Sequence, residues 1–276
     1  MLKKRLIFTL LYNAGSFMLS RNFRLQNVGN LKWLKDNYNF SQISYSIDEL
    51  VVLDVTRGEK NLEDFCTTLK FLTDGCFVPI AAGGGVNRIE TARTLLRSGA
   101  DKVVVNSELY TNSSLVRDLA SEFGQQCLVG SIDVKSSADG QYQAWSKNGV
   151  KCEAGLAKHW IEKIISDPVG EIYLNSMDRD GTGQGFDLGL LDILPKRVSK
   201  PIILAGGAGN ASHLLEGLGD SRVDAVATAN LFNFVGDGLK KARQSLAANR
   251  IVLPMWDVLL LERHLNPVGR NHDTVD

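Results

Sequence analysis

Short apolar runs recur along the chain: Arg5–Leu11, Leu50–Asp54, Pro79–Ala82, Lys102–Asn106, Cys127–Asp133, Glu171–Ser176, Pro201–Ala205 and Ala225–Ala229. They do not alternate polar with apolar, which is the habit of parallel strands covered on both faces. Between most of them lie amphipathic stretches with helical spacing, such as IETARTLLRSGA and LVRDLASEFG. Eight strand–helix units in 276 residues predict an α/β fold, a (β/α)8 TIM barrel, with a doubly wound sheet as the alternative. The opening MLKKRLIFTLLYNAGSFML starts like a signal peptide. Asn13 interrupts its apolar run, and RLIFTLL reads better as a first strand.

The pattern also repeats. PIILAGGAGNASHLLEGLGDSRVDAVATANLF (201–232) restates PIAAGGGVNRIETARTLLRSGADKVVVNSELY (79–110). Gly83 matches Gly206 (206 − 83 = 123) and Ser107 matches Asn230 (230 − 107 = 123). Two features at one offset imply a duplicated half-barrel, and the duplication favours a closed barrel over an open sheet. Residues 1–254 are therefore expected to form the barrel, and 255–276 a C-terminal extension, partly helical or disordered. Two stretches break the rhythm. Residues 12–48 run long after the first strand, as a functional loop over a barrel's C-terminal face does. The tail contains WDVLLLERHLN and then the polar PVGRNHDTVD.

Composition narrows the picture. A formal net charge of zero argues against non-specific nucleic-acid binding. Cys66, Cys76, Cys127 and Cys152 form no CxxC pair, which fits a reducing, cytoplasmic setting. No apolar run is long enough to span a bilayer. His159, His213, His264 and His272 have no spaced acidic or thiol partners, so neither a metal nor another cofactor is indicated.

The chemistry of such a barrel sits at the C-terminal ends of its strands. There the glycines at 83–85 and 206–207 let backbone N–H groups approach an anion, and Asn106, Ser107, Ala229 and Asn230 stand one unit later. Two such cups facing each other suit a ligand phosphorylated at both ends. Asp133 ends the fifth strand between the cups, as a general acid or base or as an orienting group. Leu11 stands at its duplicated position (133 − 11 = 122). Asp54 reads as a substrate-orienting group or a partner for a nearby donor, and Arg179 as part of a loop-ordering ion pair. His213 is expected to face solvent, and Trp160 to pack in the outer ring. At the opposite ends of the strands, Arg5, Glu49, Lys102 and Glu171 either close the floor as a neutral ring or stand in water as strand-flanking charges.

LVVLDVT, AAGGGVNRIETA, GADKVVVNS, SIDVK, GEIYLNSMDRDGTGQGFD and ILAGGAGNASH resemble one family over nearly the whole chain, about Met1 to Pro254. It is the cyclase subunit of imidazole glycerol phosphate synthase, HisF, in histidine biosynthesis. The resemblance implies a two-half barrel, a lyase, that binds a bis-phosphorylated ribosyl-aminoimidazole precursor. One phosphate would be held by Gly85, Asn106 and Ser107. The other would be held by Asp180, Gly181, Gly207, Ala229 and Asn230, with Asn230 replacing a small residue of the family. A glutaminase (HisH-like) partner would dock on the N-terminal face near Asp101, forming a heterodimer. Its ammonia would pass a gate matching Arg5, Glu49, Lys102 and Glu171, which makes the ring the expected arrangement.

The first of the family's two catalytic aspartates falls on Leu11, and a phosphate-holding lysine falls on Leu19; Asp133 keeps the second aspartate. A leucine cannot transfer a proton, and loss of a general acid or base costs ~10²–10⁴-fold in rate. An intact gate with a broken carboxylate pair resembles paralogues of surface-polysaccharide pathways, which feed ammonia to a sugar amidotransferase making an acetamidino sugar. The alternatives are a working cyclase, with Asn13 or Ser16 in place of the lost group, and a non-catalytic activator of the glutaminase. The related isomerase of the pathway explains Leu11 no better and has no use for the ring.

Overall fold

The computed structural model describes residues 3–38, 43–231 and 235–255. Twelve strands run in chain order: β1 (Arg5–Asn13), β2 (Ser16–Arg21), β3 (Arg24–Asn30), β4 (Glu49–Asp54), β5 (Ile80–Gly83), β6 (Lys102–Val105), β7 (Leu128–Ser136), β8 (Tyr142–Ser146), β9 (Lys151–Leu156), β10 (Glu171–Ser176), β11 (Ile202–Ala205) and β12 (Ala225–Thr228). Eight of them pair in parallel in the order β10-β11-β12-β1-β4-β5-β6-β7, and β7 pairs with β10 to close the cylinder. The chain is a (β/α)8 barrel. The eight strands fall on the eight apolar runs, including RLIFTLL as β1.

Helices α1 (Leu31–Asn37), α2 (Leu62–Asp74), α3 (Ile89–Arg97), α4 (Ser107–Thr111), α5 (Ser113–Phe123), α6 (Ala157–Ser166), α7 (Ala211–Gly219) and α8 (Gly238–Ala248) pack outside it. α2 shows the local logic. Asn61 caps it by accepting the N–H groups of Glu63 and Asp64, and Phe65, Leu69 and Leu72 point inward every three or four residues. Each is buried, so each stabilises the layer by about 1.5–3 kcal/mol. Leu69→Ala would open a void at a cost of about 2–5 kcal/mol.

Strand alternation splits the apolar residues into two cores. One lies between strands and helices. The other fills the bore: Ile7, Val51, Ala81, Val104, Val129, Tyr173, Ile203, Ala205, Ala225 and Ala227. At the N-terminal ends, a carboxylate ahead of one strand caps the strand beside it. Asp48 accepts from Leu6 N, Asp101 from Ile80 N and Asp224 from Ile202 N, at 2.8, 2.8 and 2.9 Å.

Two hairpins depart from the plain repeat. The long stretch after β1 is built of β2 and β3, then α1. A second hairpin, β8 and β9, follows β7. Both rise from the C-terminal ends of strands that correspond in the two halves. Of the expected extension 255–276, all but Met255 lies outside the described residues, with His264 and His272.

Candidate functional site

Arg5, Glu49, Lys102 and Glu171 turn into the bore and close a ring. Arg5 donates to Glu49 Oε2 at 2.8 Å and to Glu171 Oε2 at 2.7 Å. Lys102 donates to Glu49 Oε2 at 3.0 Å and to Glu171 Oε1 at 2.7 Å. The reading of these residues as solvated flanking charges is thereby excluded. The ring is not electrically symmetric. Glu171 spends both oxygens, whereas Glu49 Oε1 is buried without a partner among the described residues. Burial pushes the Glu49 carboxyl above its usual range, against the pull of Lys102. Burial also works to raise Glu171, but Arg5 and Lys102 hold it below the usual range.

Above the ring the apolar bore rises past the Tyr173 hydroxyl, 3.1 Å from Thr9 Oγ1. A cavity of about 530 Å³ lies above it at the C-terminal ends of the strands. That volume suits a small ligand. Leu11, Gly85, Asn106, Ser107, Asp133, Asp180, Gly181, Gly207, Ala229 and Asn230 all line it. The strands expected over 102–106 and 225–229 each end one residue sooner. β6 ends at Val105, leaving Asn106 at the N-terminus of α4, and β12 ends at Thr228, ahead of Ala229.

The duplicated glycine turns share one backbone conformation, with φ of +109° at Gly84 and +107° at Gly207. A Cβ on Gly84 would sit 2.1 Å from Asp54 O, and one on Gly207 2.1 Å from Gly185 O. Only glycine fits either position. His213, expected in solvent, instead accepts from Gly209 N through Nδ1 at 3.2 Å and so steadies the second turn. Asp54 accepts from Thr56 N and pairs with Lys60, the partner-for-a-donor reading. No ion pair of Arg179 is found among the described residues. Its carbonyl accepts from Thr182 N and Oγ1, so backbone rather than charge orders that loop. Trp160 packs edge-on against Tyr110 outside the barrel.

Asp133 is held from two sides. Asn106 Nδ2 donates to Oδ2 at 3.0 Å and Asn175 Nδ2 to Oδ1 at 2.9 Å. Burial raises its carboxyl to about 6, with Asn175 opposing, Asp180 adding and Asn106 opposing. A carboxyl near that value exchanges protons readily at neutral pH. The facing wall is aliphatic: Leu11, Leu19 and Leu53.

The hairpins meet the cups. Asp180 accepts from Ser20 Oγ at 2.5 Å and from Phe23 N at 3.0 Å. Ser107 Oγ accepts from Lys147 N at 3.2 Å. Asn175, expected at the mouth from its place at a strand's C-terminal end, lines the cavity, as do Arg57 and the hairpin residues Arg21, Phe23, Arg24 and Lys147, which the sequence did not point to. Phe23 carries φ of +63°, a costly conformation for a bulky side chain. Strain of that kind gathers at functional sites. Arg57 Nη2 fixes it by donating to Phe23 O at 2.5 Å. The Asn148-Gly149 pair was the legible sign of the β8–β9 turn.

Comparison with known proteins agrees with this architecture. The family model described as "Histidine biosynthesis protein" matches residues 35–236. A Parasynechococcus marenigrum protein, named provisionally as imidazole glycerol phosphate synthase subunit hisF2, is 46% identical over 94% of this chain and 96% of its own length. Proteins of Streptococcus gordonii and Streptococcus sanguinis, each named imidazole glycerol phosphate synthase subunit HisF, are 34% identical over 90% of this chain and 97% of theirs. With two aligned half-barrels, paired glycine turns and relatives matched almost end to end, the chain belongs to the histidine biosynthesis protein family, as a HisF-type barrel.

Proposed function

We propose that this barrel is the synthase-type subunit of a cytoplasmic glutamine amidotransferase heterodimer. A HisH-like glutaminase docks on the N-terminal face, with Asp101 in the contact. Ammonia enters through the ring of Arg5, Glu49, Lys102 and Glu171 and travels up the bore to the mouth. An apolar bore favours neutral ammonia over ammonium, because an unpaired buried charge is costly. At the mouth, Gly85, Asn106 and Ser107 hold one phosphate of a phosphorylated small molecule. Asp180, Gly181, Gly207, Ala229 and Asn230 hold the other, and Asp133 handles the proton.

The barrel departs from the lyase reaction of HisF at one point, and that point carries the reading: Leu11 lines the mouth where a second carboxylate would complete the pair with Asp133. We therefore assign it to a paralogue that passes ammonia on for acetamidino-sugar synthesis, beside a sugar amidotransferase. The test is a cyclisation assay with the bis-phosphorylated precursor and free ammonium. Turnover at least ~10²-fold below an ordinary cyclase is expected from the missing acid–base group. Ordinary turnover, or rescue of a histidine auxotroph, would restore the plain cyclase reading, which the relatives named HisF favour.

A further inference from the structure

We infer that the strip 251–255 forms the apolar edge of the surface on which the glutaminase docks; this rests on the proposed function. The strip is tied to the floor at two places. Lys4 N donates to Val252 O at 2.9 Å, one residue before ring member Arg5. Arg243 of α8 donates to Pro254 O and, through both terminal nitrogens, to Asp48 at 2.9 and 3.0 Å. Asp48 immediately precedes ring member Glu49 and caps Leu6 N. The strip thus lies beside the inlet, backed by a clamp that reaches two of the four ring charges.

Its side chains face outward. Leu253 is buried, but Val252 is 59% and Met255 91% exposed. Among the described residues only five large apolar side chains are exposed, and these two share one edge of the floor. Asp101, just ahead of β6 and so two strands beyond β4, spends one oxygen on Ile80 N and stands exposed on another sector of the rim.

Size decides that one partner meets both. Eight strands about 4.8 Å apart and tilted ~36° enclose a floor roughly 15 Å across. A stable interface buries ~800 Å² per partner, a disc roughly 32 Å across. A partner centred on the ring therefore overruns the floor on all sides and covers the strip. The complement it needs is an apolar socket for Val252 and Met255 and a cation for Asp101. An unpaired charge placed in that apolar socket would be buried on docking, which is costly. In sequence the chain continues past Met255 with Trp256, Val258 and Leu259.

The test is calorimetric titration of the full chain with the HisH-type glutaminase of the same organism. The parent chain and its V150D variant, altered on the β8–β9 turn, should bind alike. V252D and M255D should each bind about tenfold more weakly or worse, with unchanged circular dichroism and melting temperature. The Met255 methyl NMR signal of the parent should shift on complex formation. Binding of both variants within twofold of the parent, or an unmoved methyl signal in a formed complex, overturns the inference and leaves the proposed function standing. Failure of the parent chain to bind sinks the proposed function, and the inference with it.

Discussion

Leu11 and Asp133 stand at the same place in the two halves of the barrel. Leu11 pairs with Leu53 on β4, and Asp133 pairs with Asn175 on β10. Both line one cavity, so at this matched place the mouth carries a carboxylate in one half and an aliphatic side chain in the other. Leu11→Asp should return the missing group. It buries a charge beside Leu19 and Leu53, so it should cost about 2 kcal/mol of stability in thermal unfolding. Cyclisation of the bis-phosphorylated precursor should rise by ~10²-fold or more over the parent chain. A destabilised variant with no gain in turnover would show that the lost carboxylate is not what separates this mouth from a cyclase.

Asp133 should titrate near neutrality. Burial raises its carboxyl to about 6, so the folded chain takes up a proton there more readily than the unfolded chain does. Charging it works against the fold above that value, and the cost is relieved as pH falls through it. Asn175→Leu removes a donor that favours the charged form. It should lift the midpoint by roughly one unit, since a hydrogen bond to a charged group is worth about 1.5–3 kcal/mol. Carbonyl-carbon NMR of labelled aspartate reads the shift directly. A lowered midpoint would mean that Asn175 does not stabilise the carboxylate.

The two ring glutamates, Glu49 and Glu171, correspond by the duplication (171 − 49 = 122) but should respond oppositely to loss of charge. Glu171, held low by Arg5 and Lys102, contributes stability above its unfolded value and loses it as pH falls through its folded one. Glu171→Gln leaves both cations leaning on Glu49 and should cost about 3 kcal/mol at neutral pH, a gap that closes in acid. Glu49, held high by burial, opposes folding when charged, and that penalty fades as pH falls. Glu49→Gln keeps an acceptor for Arg5 and Lys102 and should be neutral or stabilising above neutral pH. Denaturant titrations at several pH values separate the two. Equal losses for both variants would contradict the asymmetry.

The strands, the closure and the ring members were legible because each rests on local evidence: apolar runs of strand length, an internal repeat, and a charge at or just before a strand start. The pairing within the ring was not, because it depends on side chains from β1, β4, β6 and β10 meeting across the bore. The hairpins divide in an informative way. Asn148-Gly149 follows YQAWS, a standard turn signal that the strand–helix rhythm masked. Asn22-Phe23 carries no such signal, since phenylalanine does not favour positive φ. That turn is imposed from outside by Asp180 and Arg57. Asn175 was legible as a mouth residue, but its hold on Asp133 was not, because that follows only from its register opposite Asp133.

That external hold makes Asp180 answerable to two tasks. Its carboxylate fastens the β2–β3 hairpin through Ser20 and Phe23, while its carbonyl accepts from Asn22 N at 2.8 Å. Gly181 beside it is pressed against Ser20 O, where a Cβ would sit at 1.8 Å. A phosphate entering this cup would compete with the Asp180 carboxylate for the same donors, Ser20 Oγ and Phe23 N. Asp180→Ala should leave Phe23 N unpaired and release the strained turn, at a cost of about 1–3 kcal/mol. Its backbone carbonyl bond to Asn22 survives, so the loss should stay local. Amide exchange should quicken at residues 20–24 and not in β1 or β4. Uniformly faster exchange across the barrel would mean that Asp180 supports the whole fold rather than the hairpin.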